Sequence, residues 1–302
     1  MKLKKILIIG STCVDMIVNV DHLPTTKGDI HIKSQSASMG GCAYNVSDTV
    51  RNFGAPNILF SPVGSGIYGD FVRNGLRKRG IVSPIPTVAK DNGCCYCFVE
   101  ESGERTFVSY HGAEYLIYKK WLDNVDMSDI HSVYICGLEI EEVTGPEIVE
   151  FLEQHTDVPV FFAPGPRIMK IGEDLMHRIY DLHPIIHLND DEITEYFGIS
   201  DVEEAMKKLY ELTGNTVIVT LGERGATWYD GEKVCHAPAM KVDHVEDTIG
   251  AGDSHIGAVM SCLHAGMTLE DAIKTANKVS AAVVGVKGAL LSKEEFEAAL
   301  AK

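Results

Sequence analysis

The stretch from Asp247 to Gly266, DTIGAGDSHIGAVMSCLHAG, holds the residues best suited to chemistry. Gly250 and Gly252 flank Ala251, and Asp253 follows at once. Beyond it, Ile256, Val259, Met260 and Leu263 recur at spacings of three and four, one apolar face of a helix that Gly266 stops. A small-residue turn thus feeds a helix N-terminus, whose free backbone N–H groups attract anions, phosphate above all. A carboxylate beside a phosphate is electrostatically unfavourable, which suggests that it takes the proton from a hydroxyl during phosphoryl transfer. Asp253 could equally be a plain N-cap, and this stretch alone leaves both readings open.

The elements that must position these groups alternate between strand and helix. Strands are expected at 4–9, ending at Gly10, at 16–20, weakly at 29–36, and at 57–63. The segment MGGCAYNVSDTVRNFG places Gly40 and Gly41 before a helix with Val46, Val50 and Phe53 on its apolar face, closed by Gly54. A loop over 64–70 leads into a helix at 71–79. Between 93 and 110, CCYCFVE and RTFVSYH read as two strands around the turn Ser102–Glu104. Such a hairpin breaks the α/β rhythm and could pair with 16–36 as a small second sheet, or both could join the main sheet. From 131 onward, strands at 132–137, 158–163, 184–188 and 216–220 alternate with helices at 144–155, 171–180 and 201–213. A second hairpin-like pair, ATWYDG and EKVCHAP, precedes Asp247, and 269–302 reads as helices with a VGVKGALLS loop between them. This order implies an α/β fold with a mostly parallel, three-layer sheet.

Composition narrows the function. The chain of 302 residues is 45% hydrophobic, enough for one large α/β domain. A formal net charge of -16 argues against nucleic acid or an anionic membrane as partner. The eight cysteines lack paired CxxC spacing, so neither a disulfide frame nor a zinc site is expected, and reduced thiols point to cytoplasm. Alternation puts Cys95 and Cys97 on one face of a strand and Cys94 on the other. The start, MKLKKILIIG, sets Lys2, Lys4 and Lys5 before an apolar run, as a signal peptide would. The run is short and lacks a small-residue cleavage site before Asp15, so it reads as a buried strand. No apolar run approaches the roughly 20 residues of a membrane span.

Four motifs in order resemble the ribokinase-like sugar kinases, also called the PfkB carbohydrate kinases. GGCAYN at 40–45 is similar to their N-terminal signature and DTIGAGD at 247–253 to their C-terminal one. Asn189 to Glu192 is similar to their NxxE element and VTLGERG at 219–225 to their VTLGxxG loop. Together the motifs span nearly the whole chain. The resemblance implies a three-layer αβα domain with a small β-sheet lid, here about 14–38 and 92–112. It implies ATP and Mg2+ as cofactors, and a homodimer formed lid to lid.

Roles carry over residue by residue. Asp253 matches the family's catalytic base, and Gly250, Ala251 and Gly252 its anion hole. Asp15, Gly40, Gly41, Asn45 and Glu139 resemble the sugar-binding set; polyol recognition needs such carboxylate and amide groups. Asn189, Thr220, Gly222, Gly225 and Asn277 fall on the ATP side. Glu192 resembles the Mg2+ element acting through water, and a capping-box acid would occupy the same place. Asp247, with Ser292 and nearby carbonyls, resembles a monovalent-cation site of the K+ type that orders the anion hole. Cys13 and Cys42 depart from ribose-specific members, and Ala163 and Gly165 replace a polar pair ahead of Arg167.

An ATP-dependent kinase acting on a primary hydroxyl of a small sugar is the leading expectation. The alternative is a nucleoside kinase, pseudouridine-type included, in which Tyr44, Phe98, Phe107 and Tyr110 offer an aromatic face or else form lid core. A vitamin-type kinase or a non-catalytic sugar or nucleotide sensor ranks below these. GSTCVD after the first strand lacks the GxGxxG spacing of a dinucleotide oxidoreductase.

Overall fold

Alternate residues of β1 (Lys5–Ile9) enter different cores: Leu7 and Ile9 join one apolar cluster, Ile6 and Ile8 the other. A strand covered on both faces accounts for the unbroken apolar run near the N-terminus. The structure, a computed structural model, describes residues 3–301; Lys2, part of the basic start considered above, and Lys302 lie outside them.

The order continues with β2 (Cys13–Asn19), β3 (Ser34–Gly40), α1 (Cys42–Asn52), β4 (Asn57–Phe60) and α2 (Ile67–Lys78). Then come β5 (Cys94–Val99), β6 (Arg105–Tyr110), α3 (Lys119–Leu122), β7 (Ile130–Cys136), α4 (Gly137–Glu141) and α5 (Gly145–Glu153). They are followed by β8 (Val160–Ala163), α6 (Glu173–Tyr180), β9 (Ile185–Asn189), α7 (Asp190–Phe197), α8 (Val202–Thr213) and β10 (Val217–Thr220). The chain closes with β11 (Ala226–Tyr229), β12 (Val234–Ala237), α9 (Ala251–His264), α10 (Leu269–Val283) and α11 (Lys293–Leu300).

The main sheet runs β12-β11-β10-β9-β8-β7-β1-β4, parallel except for the hairpin-like pairs that bring in β11 and β12. One face packs against α5, α6, α7 and α8, the other against α1, α2, α9, α10 and α11. These are the three layers expected. The smaller sheet runs β3-β2-β5-β6, so the Cys94–Tyr110 hairpin does leave the main sheet and joins the early strands. Within it β2 and β5 are parallel and the other pairs antiparallel. Its register lines up Ser38, Asp15, Cys95 and Ser109 in one row, with Ser36, Ile17, Cys97 and Phe107 in the next on the same face. Cys94 pairs out of step with this face, as alternation predicts.

Several boundaries differ from expectation. The weakly alternating 29–36 is not a strand as a unit; pairing begins at Ser34 and continues to Gly40, because β3 is held by β2 along its whole length. Helix α2 begins at Ile67, inside the segment read as a loop, after Gly66 at φ 107 supplies the turn. Helix α4 follows β7 directly at Gly137, where a Cβ would meet the Pro164 carbonyl oxygen at 2.0 Å; that close approach leaves no trace in hydrophobic periodicity.

Candidate active site

A cavity of about 1320 Å³ opens where the parallel strands end. Cys136, Ala163, Asn189 and Thr220, the last residues of β7, β8, β9 and β10, all line it. That is where ligands gather in open α/β sheets. Ala251, Gly252 and Asp253, the first turn of α9, form part of its wall.

Gly250 is the cap of α9, in the left-handed region at φ 76, and no side chain caps this end. The first helical N–H groups have no intrahelical acceptor by geometry. Ala251 N–H makes only a long contact, 3.4 Å, to the Thr248 carbonyl. Asp253 is therefore not the cap. Its Oδ2 accepts from Asn45 Nδ2 at 2.8 Å, and Cys42 also bonds its carboxylate. Burial raises the Asp253 pKa to about 6 against the lowering effect of those two bonds.

Asp15 lies in the small sheet and is the second such carboxylate. Burial raises its pKa to about 6; the Cys13 thiol, 3.8 Å away, lowers it and the charge of Asp253 adds to the rise. The two carboxylates thus feel one another, although Asp15, like Gly40, Gly41, Asn45 and Glu139, is not among the residues lining the cavity. Gly40 exists for Asp15: a Cβ there would sit 1.8 Å from its Oδ2. Glu139 is buried on α4, with one oxygen accepting the Ser11 N–H at 2.8 Å. Its other oxygen, the Asn45 Oδ1 and the Tyr134 hydroxyl are buried with no partner among the described residues. Buried polar atoms are rarely left so, and of these three residues Tyr134 lines the cavity. Of the aromatic residues considered for a base, Phe107 alone lines the cavity. Tyr44 is buried beneath Arg79, Phe98 stacks on Tyr96 and Tyr110 is exposed.

At the other end Asn189 and Glu192 form a capping box on α7: Asn189 Oδ1 accepts the Glu192 N–H at 2.7 Å, and Glu192 Oε2 the Asn189 N–H at 2.9 Å. Both line the cavity beside Asp191, so capping and cavity roles coexist. Thr220 donates to the Leu188 carbonyl at 3.3 Å, and Gly222 and Gly225 bracket a tight 3₁₀ turn with φ of 58 and 99.

Three expected ligand residues are engaged within the protein. Asn277 lines the cavity, but its Nδ2 donates to the Ala237 and Pro238 carbonyls at 3.0 and 3.1 Å, and its Oδ1 faces His255 Nε2 at 3.1 Å. It fixes the chain after β12 and has no free amide group for a base. The two side chains expected at the monovalent-cation site are likewise engaged. Ser292 caps α11 in a capping box with Glu295. Both Asp247 oxygens already accept hydrogen bonds, from Arg105 of β6, Ile249 N and Gly288 N.

Sequence reasoning missed one buried network entirely. His187 Nε2 lies 2.9 Å from His255 Nδ1, and His255 leads on to Asn277. The Asn277 oxygen must accept, so His255 carries its proton on Nε2 and receives one from His187. Burial lowers the His255 pKa to about 4 and that of His187 well below its ordinary value, so both rings are neutral. The available signal was a histidine inside the apolar strand IIHL and another two residues after Asp253. Arg105 and the Cys42–Cys136 thiol contact carried no such signal, since each depends on which strand faces which.

Comparison with known proteins agrees with this architecture. The family described as pfkB family carbohydrate kinase matches residues 3–295. The uncharacterized sugar kinase YegV of Escherichia coli (strain K12) is 35% identical over 291 residues, covering 94% of this chain and 90% of that protein. Ribokinase from Thermotoga maritima superposes with a TM-score of 0.85 at 24% identity, covering 99% of this chain and 100% of that one. A nucleoside kinase of Burkholderia thailandensis in complex with inosine gives 0.79 at 18% identity, covering 98% and 95%. Similar folds have been solved with ribose and ATP in Arabidopsis thaliana ribokinase, and with ATP and Mg2+ in an E. coli protein. The chain belongs to the pfkB family of carbohydrate kinases, which are ATP-dependent sugar kinases.

Proposed function

We propose that the protein transfers the γ-phosphoryl group of ATP to a primary hydroxyl of a small sugar. The carrying observation is Asp253: a buried carboxylate in the first turn of a helix whose uncapped N-terminus faces the cavity, with its pKa raised to about 6. A base poised near the working pH takes a proton most effectively. The substrate hydroxyl oxygen forms its bond to the γ-phosphorus as its proton passes to Asp253, and the bond to the β–γ bridging oxygen breaks, releasing ADP. The amides of Gly250, Ala251 and Gly252, with the helix dipole, stabilise charge on the transferred group.

Asp15, Asn45 and Glu139, backed by Gly40 and Gly41, hold the sugar; the Asn45–Asp253 hydrogen bond and the electrostatic influence of Asp253 on Asp15 support this. Asn189, Thr220, Gly222 and Gly225 hold the nucleotide phosphates. Magnesium, when bound, neutralises phosphate oxygens; the oxygen donors of Asp191 and Glu192 suit a hard cation held largely through water. The small sheet, about 14–38 and 92–112, acts as the lid.

A nucleoside acceptor is the second reading, favoured by Phe107 on the cavity wall. A panel of pentoses, hexoses, fructose phosphates and nucleosides, scored by ADP release, separates the two. Turnover of none of them would overturn the kinase assignment.

The lid also supports a homodimer. Edge strand β6 exposes Val108 and Tyr110 on the face away from Asp15, and an apolar edge of this kind is a liability unless covered. Light scattering at micromolar concentration should give twice the 33.0 kDa chain mass. Replacing Val108→Glu and Tyr110→Glu together should give the monomer; a wild-type monomer would refute the pairing. All eight cysteines are free, which suits a reducing cytoplasm. Among the described residues no helix is long and apolar enough to cross a membrane.

A further inference from the structure

Asp247 ties together three segments distant in sequence. Its Oδ1 receives Arg105 Nη1 from the lid strand at 2.5 Å and the Ile249 N–H at 3.0 Å, and its Oδ2 receives the Gly288 N–H at 3.3 Å. The carboxylate is almost wholly buried, at 7% exposure. Ile249 immediately precedes Gly250, and Gly250 packs so closely on Ala289 that a Cβ would lie 2.4 Å from the alanine's own. Whatever holds Asp247 therefore holds the turn that aims the first amides of α9. Burial pushes the Asp247 pKa up, but the Ile249 N–H, the Arg105 guanidinium and the Gly288 N–H outweigh it and keep the carboxyl below its ordinary range.

A small monovalent cation needs free oxygen lone pairs. Here three N–H donors take up three of the carboxylate's roughly four lone-pair sites, one of them carrying a full positive charge that repels a neighbouring cation, and the Ser292 hydroxyl already accepts the Glu295 N–H. We propose that Arg105 is the built-in counter-ion of Asp247: the lid itself supplies the positive charge that orders the anion hole, and the protein needs no added K+. Arg105 lies on the lid face that also bears Asp15, Cys95 and Ser109. Lid closure over the acceptor and ordering of the phosphate turn thus become one event. Arg105 is a positioning residue; it acts through Asp247 and touches no reacting atom.

This inference rests on the kinase reading for its consequences but not for its contact, so the experiment has two arms. Wild type, Arg105→Lys and Arg105→Ala are compared in chlorides of potassium, sodium and N-methylglucamine at equal ionic strength. In the first arm thermal melting is followed with and without ATP and Mg2+. Wild type should melt at the same temperature in all three salts, whereas Arg105→Ala should be raised by potassium, which binds the freed carboxylate in the folded state alone. In the second arm turnover is measured on the best acceptor. Wild-type kcat should be alike in the three salts. Arg105→Ala should lose about ten- to a hundredfold in N-methylglucamine, as a turn misplaced by a fraction of an ångström does, and recover much of it in potassium. Its acceptor KM should change less than its kcat, and Arg105→Lys should fall between.

A wild-type enzyme that melts higher or turns over several-fold faster in potassium overturns the proposal. So does an Arg105→Ala variant equally impaired in every salt. If Arg105→Ala does not fold, the wild-type comparison decides alone. If no acceptor is turned over by any form, the kinase reading falls while the melting arm still reports on Arg105.

Discussion

Asp253→Asn should lower kcat by about 10²–10⁴-fold, the usual contribution of a positioned base, while ATP affinity changes little. The substitution keeps size and keeps an oxygen for Asn45 to bond, so lost turnover reports lost basicity and not lost shape. Two companion measurements sharpen it. Wild-type kcat/KM should rise with pH through about 6, the value to which burial raises both Asp253 and Asp15. Because their charges interact, this limb belongs to the pair, and its part due to Asp253 should vanish in the variant. Stability should move the other way. A carboxyl whose pKa is raised on folding binds its proton more tightly in the folded state, so stability falls as pH rises from about 4 to 6 and the cost persists above. From 3.8 to about 6 that cost is on the order of 3 kcal/mol. Asp253→Asn should therefore melt higher than wild type at pH 7.5. Wild-type turnover in the variant would refute the assignment as base; unchanged melting would mean the carboxylate is not desolvated as described.

Both the fold and the glycine turn at the head of α9 were largely legible from sequence because they rest on local signals. A buried parallel strand must be apolar on both faces, and Ile6 to Ile9 display that without any tertiary knowledge. Gly250-Ala251-Gly252 ahead of a helical period is likewise a statement about one turn. What stayed hidden depends on distant segments meeting. Resemblance alone suggested Asp247 as a cation ligand, and nothing near it in sequence points to its partner Arg105, 142 residues away. The bonds of Asn277 were hidden likewise, because the carbonyls of Ala237 and Pro238 and the ring of His255 come from other elements. The capping role of Glu192 was legible because the capping box is local. β3 was misplaced for the same reason in reverse: its polar residues carry little periodicity, and pairing with β2 alone defines it.

The two glycines of the proposed anion hole should respond with opposite signs of stability, which separates a structural role from a phosphate-binding one. At Gly250 the backbone is left-handed at φ 76 and a Cβ would lie 2.4 Å from that of Ala289. Gly250→Ala must strain the turn or push the 285–291 loop away, costing about 1–3 kcal/mol. The amides behind it shift as well, and losing an aligned donor lowers kcat by about 10²–10³-fold. Gly252 differs in every respect. It is already inside α9, and a Cβ there would meet nothing within 4 Å. Gly252→Ala should stabilise the fold by up to about 1 kcal/mol, the helix preference of alanine over glycine. Yet the space that Cβ enters is the cavity wall beside Asp253, where phosphate oxygens would approach the backbone. The variant should melt at or above wild type and still lose about tenfold or more in kcat/KM for ATP, since a methyl group between donor and oxygen lengthens the bond beyond its useful range. A stabilised Gly252→Ala with wild-type kinetics would mean that phosphate does not sit on this turn, and Asp253 would then have no reacting atom beside it.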